Sequence, residues 1–478
     1  MNLAATQHNR RHHSYSRNRC GLVSLAAGLA LSLPFSLSLS VLASLSIQAN
    51  AGGTTAPEWP QWRGPQGQGH APGTGYPLRW SETEGVTWKT PVPGRGWSSP
   101  VIEGNSIWMT TGIETPAPPE DTQRRLKGNT GDQPLTLLSK VELRAIEIDR
   151  ATGKPGRNVL LLSESDPQWV HELNTYASPS PVIEAGRLYC HFGTFGTTCL
   201  DTKSGTVLWK NTDLHIMHEN GPGSSPVLWN DLLIFHMDGS DKQYIAALDK
   251  NTGKLVWKTD RSGEMDPGPQ LKKSYGTPLV VGIEGKDQLL SPASNWLYSY
   301  DEQGKELWKV SYGALGFSLT PKPVVGHGMV FLSTGFMRPQ ILAIRFDGTN
   351  AAAPSIAWKN NRGGPTMPSL LLVGDELYFQ TDAGGMLTCV DAVSGKEHYR
   401  ERLGGNFSSS PTFANGRIYF SNREGLTTVV RPGKTFDVLA TNKVDGKILA
   451  SLAAADRAFF LRTDTALYRI ESAPQIVR

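Results

Sequence analysis

The chain has 478 residues, with 47 Lys+Arg against 43 Asp+Glu. Residues 1–51 hold four of those cations (Arg10, Arg11, Arg17 and Arg19) and no acid, so the remainder balances at 43 of each. A neutral body gives no electrostatic basis for nucleic-acid binding, and 50 glycines with 32 prolines suit a turn-rich β fold better than a helical one.

Residues 1–51 read as a targeting segment. A basic stretch from Arg10 to Arg19 precedes an uncharged one from Cys20 to Ile47, and Ala49-Asn50-Ala51 is a small-x-small cleavage signal. Cleavage would place the body in the periplasm or outside the cell. The uncharged stretch is also long enough to remain as a membrane anchor. Residues 52–85 follow as an N-terminal extension, and residues 86–478 carry a repeat.

The repeat is clearest in Ala246 to Trp257, AALDKNTGKLVW. An apolar run stops at Asp249, turns through Asn-Thr-Gly253 and resumes up to Trp257. The Asp side chain can bond the backbone two residues on, and glycine takes the positive φ of a tight turn. The phrase recurs with Asp201, Gly205 and Trp209, with Asp301 and Trp308, and with Asp391, Gly395 and Tyr399. A second phrase, Ser-Pro-Val followed by alternating apolar residues, begins units at Ser98, Ser180 and Ser224, and recurs as Ser-Pro-Thr at Ser409. Looser copies surround Pro278, Pro323 and Pro368. Four short strands per unit is the pattern of propeller blades.

Seven units carry the proline, and an eighth, proline-free one covers Gly446 to Ile470. That last unit lacks a fourth strand, while Val86-Thr87-Trp88-Lys89 is an outer strand with no unit of its own. Pairing the two would close the ring and remove an exposed edge. The expectation is an all-β, eight-bladed propeller of four-stranded antiparallel blades, with seven blades as the alternative. Residues 113–141, rich in proline and charge, read as a surface insertion, and no helix of consequence is expected.

Three cysteines remain beyond the leader: Cys190, Cys199 and Cys389. Cys190 and Cys199 flank Gly193-Thr194-Phe195-Gly196 symmetrically, which would place them opposite each other across two strands, within reach of a disulfide. The competing reading is that Cys199 and Cys389 fill a small buried position of the repeat. Trp209, Trp257 and Trp308, at a regular distance from the aspartate, read as wedges between blades.

The phrase from Ala247 to Trp257 resembles the tryptophan-docking motif of PQQ-like β-propeller repeats, and the resemblance runs over about residues 86–470. Quinoprotein alcohol dehydrogenases and the propeller lipoprotein of outer-membrane β-barrel assembly share this repeat. Trp59-Pro60-Gln61-Trp62-Arg63-Gly64-Pro65 further resembles the opening of secreted planctomycete-type proteins with the same repeat. The enzymes place a vicinal Cys-Cys ring beside PQQ, bind calcium through Glu and Asn, and use an Asp base. This chain has no adjacent cysteines and no Cys-x-x-Cys-His haem motif.

Function is therefore sought in the segments before each inner strand, which should ring one mouth of the channel. They contain Arg95 and Trp97; His171, Asn174 and Tyr176, beside Glu172; His218, Glu219 and Asn220; Lys273 and Tyr275; and Asn406. Aromatics beside amides and charges can hold a sugar, a quinone or a peptide, whereas the plainer reading is a set of wet polar loops. His215, His218 and Glu219 would need borrowed ligands to bind a metal, so no metal is assigned. No catalytic residue is assigned either. The function expected is a non-catalytic, monomeric binding or scaffold propeller for an envelope or secreted protein, or for a polysaccharide, with no cofactor. The alternative is a PQQ- and Ca²⁺-dependent oxidoreductase of alcohols or sugars, with Glu172 or Glu219 and Asn174 or Asn220 near the metal.

Overall fold

The computed structural model describes residues 58–127, 129, 133–283, 285–313, 316–346 and 354–472. The targeting segment read over residues 1–51 lies outside them. Eight four-stranded antiparallel sheets follow one another along the described chain. We number them as blades: 1 (101–165), 2 (182–211), 3 (227–260), 4 (279–311), 5 (324–360), 6 (371–402), 7 (412–443) and 8 (453–470). Blade 8 supplies three strands itself. Its outer strand is Val86–Pro91, which pairs antiparallel with Ala466–Ile470, Val86 opposite Ile470 and Pro91 opposite Ala466.

Side-chain burial follows position in the blade. The second strand of blade 3, Leu232–Asp238, is buried at every residue, because both its faces meet neighbouring blades. The outer strand Leu255–Asp260 alternates between exposed and part-buried residues. The core thus consists of layers between blades. One layer joins Tyr189, Cys199 and Trp209 of blade 2 to Leu233, Phe235 and Tyr244 of blade 3.

Docking between blades uses the repeated turn. Asp249 accepts the Thr252 N–H (2.7 Å) and hydroxyl (2.9 Å), closing a turn in which Gly253 has φ +71°. The Trp209 ring of blade 2 lies on that glycine, and its N–H donates to the Lys250 carbonyl (3.0 Å). Trp257 docks the same way on Gly304 and the Glu302 carbonyl, and Trp88 on Gly153 and the Arg150 carbonyl. Trp358 does so on Gly395 and the Ala392 carbonyl. Gly205 instead meets the Arg157 side chain. Trp308 donates to Gln288 Oε1 within its own blade (2.9 Å), and residues 347–353, where its docking turn would lie, are outside the described residues.

A ring of hydroxyl bonds joins the inner segments. The backbone N–H of Ser99 donates to Ser180 Oγ (2.8 Å), that of Ser180 to Ser225 Oγ, and that of Ser225 to Thr277 Oγ1. The series resumes from Lys322 to Ser369, Ser410 and Ser451, and Ser451 returns to Ser99 Oγ (3.0 Å). Among the described residues it has one gap, between Thr277 and Lys322, whose side chain cannot accept.

The extension is a strap along the free edges of the inner strands. Trp59 and Ile102 exchange backbone bonds, the Ile183 N–H donates to the Pro60 carbonyl, and the Val325 N–H to Gln68 Oε1. His70 Nε2 meets the Leu372 carbonyl, and Phe413 pairs with Gly69 and Ala71. Blades 1, 2, 5, 6 and 7 are engaged in turn, so strand edges facing the channel are covered. The Arg63 guanidinium, buried, donates to the Leu370 carbonyl (2.6 Å).

Two expectations change. The segment 113–141 begins and ends in strand, since Ser106–Pro116 and Leu138–Asp149 run long, and between them lies a helix, Pro119–Leu126. Proline in the first turn, acids Glu120 and Asp121 there and Arg124 and Arg125 in the last turn all favour that helix. The cysteines are out of register as well. A 3₁₀ turn at Gly193–Phe195 sets Cys190 opposite Thr198 and Cys199 opposite Tyr189. Cys190 packs with blade 1 residues and Cys199 with blade 3 residues, and both are buried free thiols. The symmetric flanking of the turn was misleading because a shift of one residue reverses the face.

Candidate functional site

Strand direction alternates within each blade, so the segments entering the inner strands share one end with the loops between second and third strands. The Asp-x-x-x-Gly docking turns lie at the other end. Every nominated site residue is therefore on the loop end, but the side chains differ sharply in availability.

Several are spent on holding the loops. Tyr176 is buried and donates to the Gln168 carbonyl (2.7 Å). Asn174 donates to the carbonyls of Asn220 (2.7 Å) and Pro222 (3.1 Å), while its oxygen accepts from Thr175 and Ser178. Tyr275 donates to the His218 carbonyl (2.7 Å). The Asn220 carbonyl also accepts the His171 N–H, and its Oδ1 is buried without a donor. Trp97 donates its backbone N–H to the Ala177 carbonyl, and its indole N–H is buried without an acceptor. These residues brace the entries to blades 1 to 4 against one another. Asn406, exposed, donates to Glu424 Oε1 (2.8 Å) on blade 7.

The charged members form a mixed rim. The Arg95 guanidinium bonds the Glu172 carbonyl and lies 3.8 Å from Glu114. Glu219 accepts the Ser240 hydroxyl (2.8 Å). Lys273 is buried and donates to Gln270, and burial pushes its amine down to about 8 against the opposing pull of Glu219. Burial lowers His171 too, with Lys273 and Arg423 adding to the effect and Glu172 opposing it. His171, Lys273 and Arg423 thus share one field, although they come from blades 2, 4 and 7. Arg423 was not singled out in the sequence. It sits in a loop between second and third strands, donating to Ser408 Oγ (2.7 Å).

Beneath the rim lies a second set of polar groups that sequence reasoning missed. His191, His218 and His236 line a cavity of about 10 Å³ with Asp238 and Tyr275. Burial drives His191 and His218 down to about 3 and His236 well below its ordinary value, so all three are neutral. Asp238 and Arg261, both fully buried, form a bidentate pair at 2.9 and 2.8 Å. Arg261 continues to Ser291 Oγ (2.6 Å), which meets His236 Nε2 at 2.8 Å. Serine beside histidine is the spacing of a nucleophile and its base. Here Ser291 has no exposure and does not line that cavity. The network is structural. His236 and Asp238 sit two apart on a buried strand of apolar neighbours, which was the available signal.

A family model described as outer membrane protein assembly factor BamB matches residues 241–378 and 293–468. The match and the eight-bladed fold support a PQQ-like β-propeller family. Among solved structures, this PQQ-like propeller is similar to a europium-containing methanol dehydrogenase at 11% identity and TM-score 0.55, covering 85% of this chain and 90% of that one. BamB from Moraxella catarrhalis gives 11% identity and TM-score 0.47, covering 76% and 99%. The computationally designed Ika8 protein gives 10% and 0.48, covering 72% and 98%. No curated protein matches.

The family's cofactor can be set against the residues of this propeller. Among the described residues no three His, Cys, Asp or Glu side chains come together as a metal site. Of the calcium ligands considered above, Asn174 is saturated by its own loops and Glu219 is bonded to Ser240. The three cysteines that would flank a quinone are separate buried thiols. PQQ, a rigid tricycle, has no counterpart in the water-sized space under this mouth. These residues do not fit PQQ and calcium.

Proposed function

We propose that this propeller is a non-catalytic, extracytoplasmic binding protein whose loop end docks a protein partner. The observation that carries the reading is the character of that end. Phe336 and Met337, in a loop between second and third strands, are 58% and 62% exposed beside the buried Phe317. Leu173 and Met217, on segments entering blades 2 and 3, are exposed as well. Large apolar side chains interspersed with His171, Glu172, Arg95 and Asn406 give the aromatic, Met and Arg content of a docking surface with a polar rim. A polysaccharide ligand would stack on aromatic faces, and Phe336 is one exposed ring in that role. The targeting segment read at residues 1–51 supports the extracytoplasmic setting, and among the described residues no helix is long and apolar enough to cross a membrane.

The test is cross-linking in envelope extracts with a photoreactive residue at Phe336 or Met337, and at Val393 in a docking turn as control. A discrete adduct from the loop end, absent from position 393, is expected. Equal labelling at both ends, or none, overturns the reading. A thermal-shift titration with PQQ and Ca²⁺ is expected to give no stabilisation. Saturating ligand at 100 times its Kd would add about 2.7 kcal/mol, and such a shift would restore the quinoprotein alternative.

A further inference from the structure

Lys322 holds the place where the other inner segments carry serine or threonine, and it is 1% exposed. Among the described residues no acceptor meets its amine, and the charged group acting on it is Arg63, a second buried cation. Arg63 itself has Nε and Nη1 without acceptors, and Gln68 Nε2 is likewise unmatched. The floor of the channel is therefore rich in buried donors and lacks a carboxylate. Burial without a counter-charge pushes Lys322 down to about 7 and Arg63 down to about 9.

The amine opens onto a cavity of about 120 Å³. The strap supplies Gln61 and Gln66 to it, and the inner strands of blades 3 and 4 supply Val227, Leu228, Leu279 and Val280. Its lining is mostly polar, because the inner strands turn their backbone edges to the channel and bury the side chains of Val227 and Leu279 between blades, and Lys322 brings its one charged group. We propose that this chamber binds a short-chain carboxylate, its head on the Lys322 amine. The size agrees. A cavity of about 150 Å³ takes benzene, so this one takes about four to six non-hydrogen atoms, the range from acetate to butyrate. The carboxylate provides the acceptor that the Lys322 amine lacks.

Binding keeps a proton on Lys322. Arg63 is the titratable group facing it from the strap. The inner segments of blades 3, 4 and 6 bring Val227, Leu228, Leu279, Val280 and Ser369, none of which titrates. Between pH 6 and pH 8 Arg63 stays charged, so only Lys322 changes, and affinity falls roughly tenfold over that interval.

Calorimetric titration of the full chain with butyrate, acetate and 1-butanol at pH 6 and pH 8 tests the proposal. The expected result is butyrate binding at pH 6, weakened roughly tenfold at pH 8, abolished in K322M and absent for butanol. Equal affinity at both pH values, binding retained by K322M, binding of butanol as tight as butyrate, or no heat with either carboxylate (a chamber holding water only) overturns it. Should K322M fail to fold, wild-type protein is acetylated with and without butyrate, and Lys322 is followed by peptide mass spectrometry. Acetylation of Lys322 is expected to be slower with butyrate than without it while exposed lysines are unaffected, and an unchanged rate overturns the proposal.

Discussion

Gly253 of blade 3 lies against the indole of Trp209 of blade 2 so closely that a β-carbon there would fall 2.4 Å from Cε3. G253A therefore meets both a ring and a positive φ, and we expect a loss of about 2–4 kcal/mol. W209A should cost about 3–5 kcal/mol. The double variant should lose clearly less than the sum, because either change alone undoes the same joint. Urea unfolding of the three proteins measures this, and strict additivity would show that the ring and the glycine act separately.

S180A removes the acceptor for the Ser99 N–H inside the hydroxyl ring. A buried donor left unmatched costs about 1–3 kcal/mol. S180T keeps an oxygen there and should recover most of it. Equal stability of S180A and wild type in denaturant melts would mean that water replaces the hydroxyl.

Protonation gives a further test. His191 and His218 are held near 3 in the fold against an ordinary value of 6.5. Below pH 6.5 the unfolded chain takes up protons that the fold refuses, so their contribution to stability is complete above pH 6.5. It is lost as pH falls toward 3, by up to about 1.4 kcal/mol per pH unit for each histidine. H191Q should flatten the dependence of unfolding free energy on pH between 4 and 6. An unchanged slope would show that His191 already titrates in the fold.

Asp238→Asn would leave Arg261 buried without its counter-charge. We expect a loss of about 3–5 kcal/mol, and a smaller one when Arg261→Met is added, because the pair then disappears together. Thermal unfolding of both variants decides it. A double variant worse than D238N would show that Arg261 is held mainly by Ser291 and Tyr300.

The fold was legible because its joint is local. Asp249 to Trp257 states a turn, a glycine and a docking ring within nine residues, and the copies state the repetition. The outer strand around Trp88 could be assigned to blade 8 because each end lacked what the other had. Trp358 was harder to find, since eleven positions separate it from Asp347 in the sequence, against eight between Asp249 and Trp257. The strap escaped notice as a structural element for a different reason. Trp59 to Ala71 bonds to separate inner strands one after another and carries no period of its own. At the site, polarity placed residues at the loop end but could not sort them, since Asn174 and Tyr275 are tied to backbone carbonyls brought in by other blades. Unfolding without reductant followed by alkylation should label Cys190, Cys199 and Cys389 alike. A recovered Cys190–Cys199 bridge would contradict the offset register.

Closure by Val86–Pro91 also sets an order in time. This strand leaves the ribosome before any blade, yet its partner Ala466–Ile470 follows only after all the others. At about 5–20 residues per second, the interval between them is roughly 20–75 s. Throughout it, Trp88 and an unpaired strand edge are exposed, and blade 1 lacks the ring that docks on Gly153. A nascent chain of this protein can fold its middle blades as they appear, but it cannot become a ring until Ala466–Ile470 has emerged. A late chain break should therefore yield stacked blades with two open edges, and with them the hazard of joining a neighbour.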